Sequence, residues 1–211
     1  MSNKQKNKVL KRSVIFAGLI AWHWSAPCLS AETGMDVTLD ANIVENTCQI
    51  SIPDGGKVHL PTVSKNWFYN PDGSSRLQPT DAASGTPFTV RVESCSGDNI
   101  SVNAVDFSFQ PQSKQWPVGT RQVFINETKV LEGGAENTGV VIFSKALNTN
   151  VLNADGSSSV LIDAGADSWV KDYPFYARLQ NVGLVKAGKV TSSVVVNATY
   201  NSSKQEEYTH E

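Results

Sequence analysis

Residues 33–48 read TGMDVTLDANIVENTC, and their spacing decides the class of fold. Met35, Val37, Leu39, Ala41 and Ile43 occupy every second position, with Asp36, Thr38, Asp40 and Asn42 between them. A period of two marks a strand with one buried face. An alternating strand at a free chain end is an open pairing edge, which proteins normally hide. This strand therefore needs a partner.

Working towards the N-terminus, Lys4, Lys6, Lys8, Lys11 and Arg12 precede the apolar run VIFAGLIAWHW, residues 14–24. A basic region, a short apolar core and small residues after it form a secretory signal peptide, and the core is short for a membrane span. Cleavage is expected after Ser30, with Ala31 as the alternative, so residues 1–30 are signal. Cys28 follows Ser25, Ala26 and Pro27 rather than the apolar residue a lipoprotein site requires, and lipidation is set aside. Cys48 and Cys95 remain in the mature chain, 47 positions apart. An even count in an exported protein reads as one disulfide. Two free thiols or a metal site are the alternatives, and neither His59 nor His210 has Cys, Asp or Glu at ligand spacing.

Working towards the C-terminus, Ile50 and Ile52 continue the first strand until the turn Pro53-Asp54-Gly55-Gly56 ends it. Val58 and Leu60 form a short second piece. Residues 61–86 are a long polar loop holding Trp67, Phe68 and Tyr69. These aromatics are read as a cover over an open end of the core, with a ligand-stacking patch as the alternative. Phe88, Val90 and Val92 alternate into Cys95. Ile100, Val102 and Ala104 run towards Phe107 and Phe109. QVFI (122–125) is short and apolar, and GVVIF (139–143) reads as a strand buried on both faces. Residues 151–156 read as an edge strand and turn with Val160–Ile162 as its partner. Phe175, Ala177 and Leu179 alternate, and Val190, Ser192, Val194, Val196, Ala198 and Tyr200 share one face of a last strand.

Many short strands separated by turn signals, with no long helical stripe, predict an all-β sandwich. One domain over residues 37–201 and a polar tail over 202–211 are expected. The net charge of -2 carries no basic field for nucleic acid. His59 lies mid-strand and His210 in the tail, so no nucleophilic triad is legible. Asp163, Asp167 and Asp172 read as loop residues rather than paired acids, and no phosphate-binding glycine pattern occurs. The glycosylation triplets at Asn126, Asn197 and Asn201 are chance-level matches. The reading is no enzyme and no cofactor.

The order of these blocks carries a resemblance: signal peptide, alternating segment into Cys48, Phe88 to Cys95, TGVVIF, PFYAR and a terminal strand ending at Tyr200. Together they resemble a chaperone–usher fimbrial subunit of the type 1 pilin family, closer to minor or fimbrial-like subunits of enteric bacteria than to major rod subunits. The resemblance implies an immunoglobulin-like sandwich lacking its last strand, completed by a donor strand from a neighbouring subunit or a periplasmic chaperone. It implies export through the periplasm and an outer-membrane usher to the cell surface, where the subunits build an adhesive fimbria. Residues 31–45 would be the donor extension, with Met35, Val37, Leu39, Ala41 and Ile43 filling pockets; Ala41 stands where relatives often have Gly. Val190, Val194, Val196, Ala198 and Tyr200 would form the groove wall. Relatives end close to the matching Tyr, whereas ten residues follow Asn201 here, away from the terminal carboxylate that a chaperone clamps. The alternative function is a tip or adaptor subunit whose partner is a host glycan receptor bound at Trp67, Phe68 and Tyr69.

Overall fold

The chain divides into the units Met1–Glu32 and Thr33–Glu211. A computed structural model describes residues 35–41, 47–79, 85–96, 102–165 and 168–202, all in the second unit. Two β-sheets face each other across one core. The first contains β1 (Met35–Ala41), β3 (Lys57–Leu60), β5 (Val102–Pro111), β9 (Val160–Asp163) and β11 (Thr191–Ser202), in the order β3-β1-β11-β5-β9. The second contains β2 (Cys48–Ser51), β4 (Thr86–Cys95), β6 (Phe124–Ile125), β7 (Glu136–Ser144) and β10 (Asp172–Lys186), in the order β2-β4-β10-β7-β6. β8 (Thr149–Asn150) adds to β7. Helical structure among the described residues is limited to short 3-10 turns at Pro53–Gly56, Lys65–Phe68 and Val130–Glu132. This is the all-β sandwich that the alternating segments predict, consistent with the immunoglobulin-like arrangement that the resemblance implies.

The core is built from the inward set of each strand. Val90 and Val92 of β4, Phe175, Ala177 and Leu179 of β10, and Val194, Val196 and Ala198 of β11 are all buried in one cluster. Phe175 lies at its aromatic centre, with ring centroids 5.1 Å from Phe109, 5.5 Å from Phe107 and 5.8 Å from Phe88. β7 is buried on both faces from Thr138 to Ser144. In β5 the buried set changes from Val102 and Ala104 to Val105, Phe107 and Phe109. A register shift in the pairing with β11 opposite this point absorbs the change of phase, as a bulge does.

Two expectations require correction. The first strand does not run from residue 33 through Ile52. β1 belongs to the first sheet and β2 to the second, and the turn at Pro53–Gly56 carries the chain from β2 back to the first sheet as β3. Three successive positive φ values at Asp54, Gly55 and Gly56 make that switch, which costs little at the two glycines. Val160–Ile162 does not partner residues 151–156 either. β9 pairs with β5, from Ala104↔Asp163 to Phe107↔Val160. Val151 and Leu152 are buried beneath a turn in which Asp155 accepts hydrogen bonds from the backbone and hydroxyl of Ser157. Those bonds hold the Asp155 carboxyl below its ordinary pKa.

Candidate functional site

β1 lies between the two strands that the remaining fold leaves unjoined. It runs parallel to β11, from Asp36↔Thr191 to Ala41↔Val196, and antiparallel to β3, from Met35↔Leu60 to Thr38↔Lys57. Val37 is 1% exposed and Leu39 5%, and both join the core cluster that includes Val58, Leu60, Val190, Val194 and Val196. Met35 and Ala41 are backbone members of the strand, whereas Ile43 lies outside the described residues. The chain thus places its own N-terminal strand in the slot between β3 and β11.

A glycine sets the floor of that slot. At Gly56, φ is +78° and an added Cβ would stand 2.5 Å from the carbonyl oxygen of Leu39. The backbone of β1 approaches this turn too closely for any side chain. Gly56→Ala is expected to cost roughly 2 kcal/mol, from the left-handed backbone together with the contact. The loss should concentrate on β1: in limited proteolysis, cleavage near residues 35–41 accelerates before the rest of the domain opens. Uniform acceleration along the chain would show that Gly56 serves only the turn.

Beyond the slot, β11 is tied to the start of β2. Thr47 forms an antiparallel bridge with Thr199, so the chain direction at Thr47 is opposite to that of β1. Ser96 N–H donates to Thr47 O at 3.1 Å, and the Tyr200 hydroxyl donates to Ser96 O at 2.6 Å. Cys48 and Cys95 are directly opposed in the β2–β4 pairing and form the disulfide. Val190, Val194, Val196 and Ala198 are buried and Tyr200 is half-buried against them.

The aromatic run sits elsewhere. Phe68 is buried, and Trp67 and Tyr69 are half-buried and pack on the core. Trp67 meets Phe68 edge-on at 5.3 Å. The loop that carries them returns across the outer face of β10, fastened by side chains from that strand. Arg178 donates to Arg76 O at 2.8 Å and Gln78 O at 2.9 Å, the Tyr176 hydroxyl donates to Pro79 O, and Asn181 Nδ2 donates to Ser75 Oγ. Arg178 is 2% exposed, with its guanidinium 4.8 Å from the Phe143 ring centre. Burial pushes the Tyr176 phenol up, and the Arg178 charge partly opposes that.

Arg178→Met keeps most of the volume but strips two backbone carbonyls of a charged donor. It is expected to cost about 2 kcal/mol, which lowers the melting temperature by roughly 4–8 °C in a domain of this size. Arg178→Lys should recover less than half, since one ammonium does not reproduce the planar fork. A melting temperature unchanged by Arg178→Met would mean the strap is held by its neighbours alone. Sequence reasoning missed Arg178: one charged residue on the outer face of an alternating strand reads as solvated. No local pattern signals its burial, which comes from its contacts with the loop around Arg76 and Gln78.

Among the described residues, no group of His, Cys, Asp and Glu is arranged to hold a metal ion. No protein-family model matches the chain. The chain is 31% identical over 210 residues to the fimbrial-like protein YadK of Escherichia coli K12, covering 92% of this chain and 98% of that protein. It is 28% identical over 190 residues to the major fimbrial subunit SMF-1 of Stenotrophomonas maltophilia K279a, covering 84% and 98% respectively.

Proposed function

The chain belongs to the family of fimbrial subunits, and from that premise we propose that it polymerises by donating residues 31–45 to the slot of the next subunit. Its role is structural, not catalytic. A periplasmic chaperone fills the slot during export, and at the outer-membrane usher the N-terminal strand of a neighbouring subunit replaces it. The product is a surface fimbria that mediates adhesion.

The observation that carries this reading is the placement of β1. It is the first strand among the described residues, joined to β2 through residues 42–46, and it pairs on both sides and buries Val37 and Leu39 in the core. Backbone pairing along two edges gives affinity, and alternate side chains in pockets give register. A slot that accepts this strand from the same chain has the chemistry to accept it from another copy. Val37 and Leu39 fill the pockets, while Met35, Ala41 and Ile43 extend the same period.

The test compares residues 31–211 with residues 46–211, each co-expressed with the cognate chaperone. Both co-purify with it, because β3 and β11 are intact in both. After chaperone release, the longer chain forms subunit ladders that resist mild detergent, and the shorter one forms none. A longer chain that yields monomers alone, even when mixed with the shorter one, would remove donor exchange from the reading.

A further inference from the structure

We propose that the turn carrying Val130 and Leu131 is a seat outside the slot, on which the body of a second copy of this chain rests. The seat rests on the strand donation proposed above and adds a second contact to each joint. Its place follows from where the slot can be entered. On the edge of β11 that faces away from β5, β1 fills positions 191–196 and Thr47 of the same chain holds Thr199. Thr47 leads directly into Cys48, which is fixed to Cys95 by the disulfide. The domain's own chain therefore occupies the slot end beyond Val196.

A strand donated by another copy carries that copy's body at its C-terminal end. The body has room only at the opposite mouth, beside Thr191, and the strand then runs in the reverse direction to β1. Between Ala41 and Thr47, residues 42–46 span at most about 20 Å, less than the ~30 Å width of a small domain. The neighbour's body is thus held against whatever surrounds Thr191.

That surrounding is the loop between β6 and β7, stitched to the start of β11. Glu127 N–H donates to Thr191 O at 2.7 Å, the Thr128 and Thr191 hydroxyls are 2.7 Å apart, and Gly134 bridges Lys189. Asn126 spends its whole amide on the same join. Its Nδ2 donates to Ala135 O and Lys189 O, each at 2.9 Å, and its Oδ1 accepts from the Thr128 and Thr191 N–H groups. Within the loop, the N–H groups of Glu132 and Gly134 both donate to Lys129 O. At the tip of this pinned turn, Leu131 is 100% exposed and Val130 55%. Single exposed apolar residues are common on any surface. Two in succession on a fixed turn make an apolar knob that loses little freedom on contact. Exposed Lys129 and Glu132 flank it with opposite charges, the polar rim of a small protein contact.

The experiment starts from residues 31–211 bound to the cognate chaperone, with and without Leu131→Asp, a change at a fully exposed position. In one arm, each complex takes up a tagged peptide of residues 31–45, which brings the strand without a body. In the other, each complex forms subunit ladders, which are then challenged with excess tagged peptide to time the opening of their joints. Leu131→Asp is expected to leave peptide uptake unchanged. It should open ladder joints about tenfold faster, the fold-change of one lost leucine contact, or leave no ladders at all. Joints as long-lived as those of the parent chain, with unchanged peptide uptake, overturn the seat. An equal loss in both arms puts the effect of the tip inside the slot and overturns it as well. Failure of the parent chain to take up peptide removes strand donation itself, and the seat with it.

Discussion

A subunit that begins at Asn46 will lose its cooperative thermal transition unless another strand fills the slot. Removing β1 withdraws Val37 and Leu39 from the core, worth together about 3–6 kcal/mol by area. It also uncovers the flanks of Val58 and Leu60 on one side and of Val194 and Val196 on the other. Domains of this kind are stable by about 5–15 kcal/mol in total, so the loss is a large part of the whole. The backbone edges of β3 and β11 are left unpaired as well. A synthetic peptide of residues 31–45 added in excess should restore the transition, read by near-ultraviolet circular dichroism. If the shortened chain melts as the longer one does, β3 and β11 close on each other and no slot exists. The same peptide carrying Leu39→Asp should fail to rescue, because a carboxylate would have to enter the core.

Reduction of the Cys48–Cys95 disulfide is the second large effect. The bond closes a loop of 47 positions, for which chain-entropy arguments give about 4 kcal/mol. With a denaturant slope near 2 kcal/mol per molar, the urea midpoint should fall by roughly 2 M. The position of the bond adds a structural reason. β2 has four residues and lies at the edge of the second sheet, so few other interactions hold it to β4. The Thr47–Thr199 bridge and the Tyr200–Ser96 hydrogen bond depend on the same corner. Reduction should therefore loosen the far end of β11 before the aromatic centre around Phe175. Hydrogen exchange would check that order: early loss of protection at Thr199 and Tyr200, late loss at Phe107 and Ala177. A midpoint shift below about 0.5 M would mean that the unfolded chain already keeps this corner together.

Much of the sandwich was legible because its strands alternate. β4, β11 and the inward set of β10 follow directly from period-two spacing, and the doubly buried β7 from an unbroken apolar run. The disulfide followed from export and an even cysteine count. The division of residues 33–52 between two sheets was overlooked, although the apolar phase moves from the odd positions 35–43 to the even positions 48–52, since the PDGG turn looks like an ordinary end of strand. Its left-handed backbone, which makes the crossing, is invisible in a string of letters. The partner of β9 depended on long-range register, which local spacing does not contain. Arg178 was illegible for a related reason. Its burial arises where a loop from residues 61–79 meets a sheet face a hundred positions later, and no local pattern records that meeting.

The opposed directions of β1 and Thr47 have a kinetic consequence. A strand tethered by residues 42–46 searches for its own slot at an effective concentration in the millimolar range, far above that of free subunits in solution. Under the proposed strand donation, self-insertion therefore competes with every joint, and ladders form only where another subunit's strand meets the slot as the chaperone leaves it. Order of arrival then governs growth. A slot occupied by a foreign strand before the tether closes leaves the N-terminus free to reach forward, and each link made this way keeps the next one open. On this view, fibre length is set by how quickly new chains are intercepted, more than by how tightly finished joints hold.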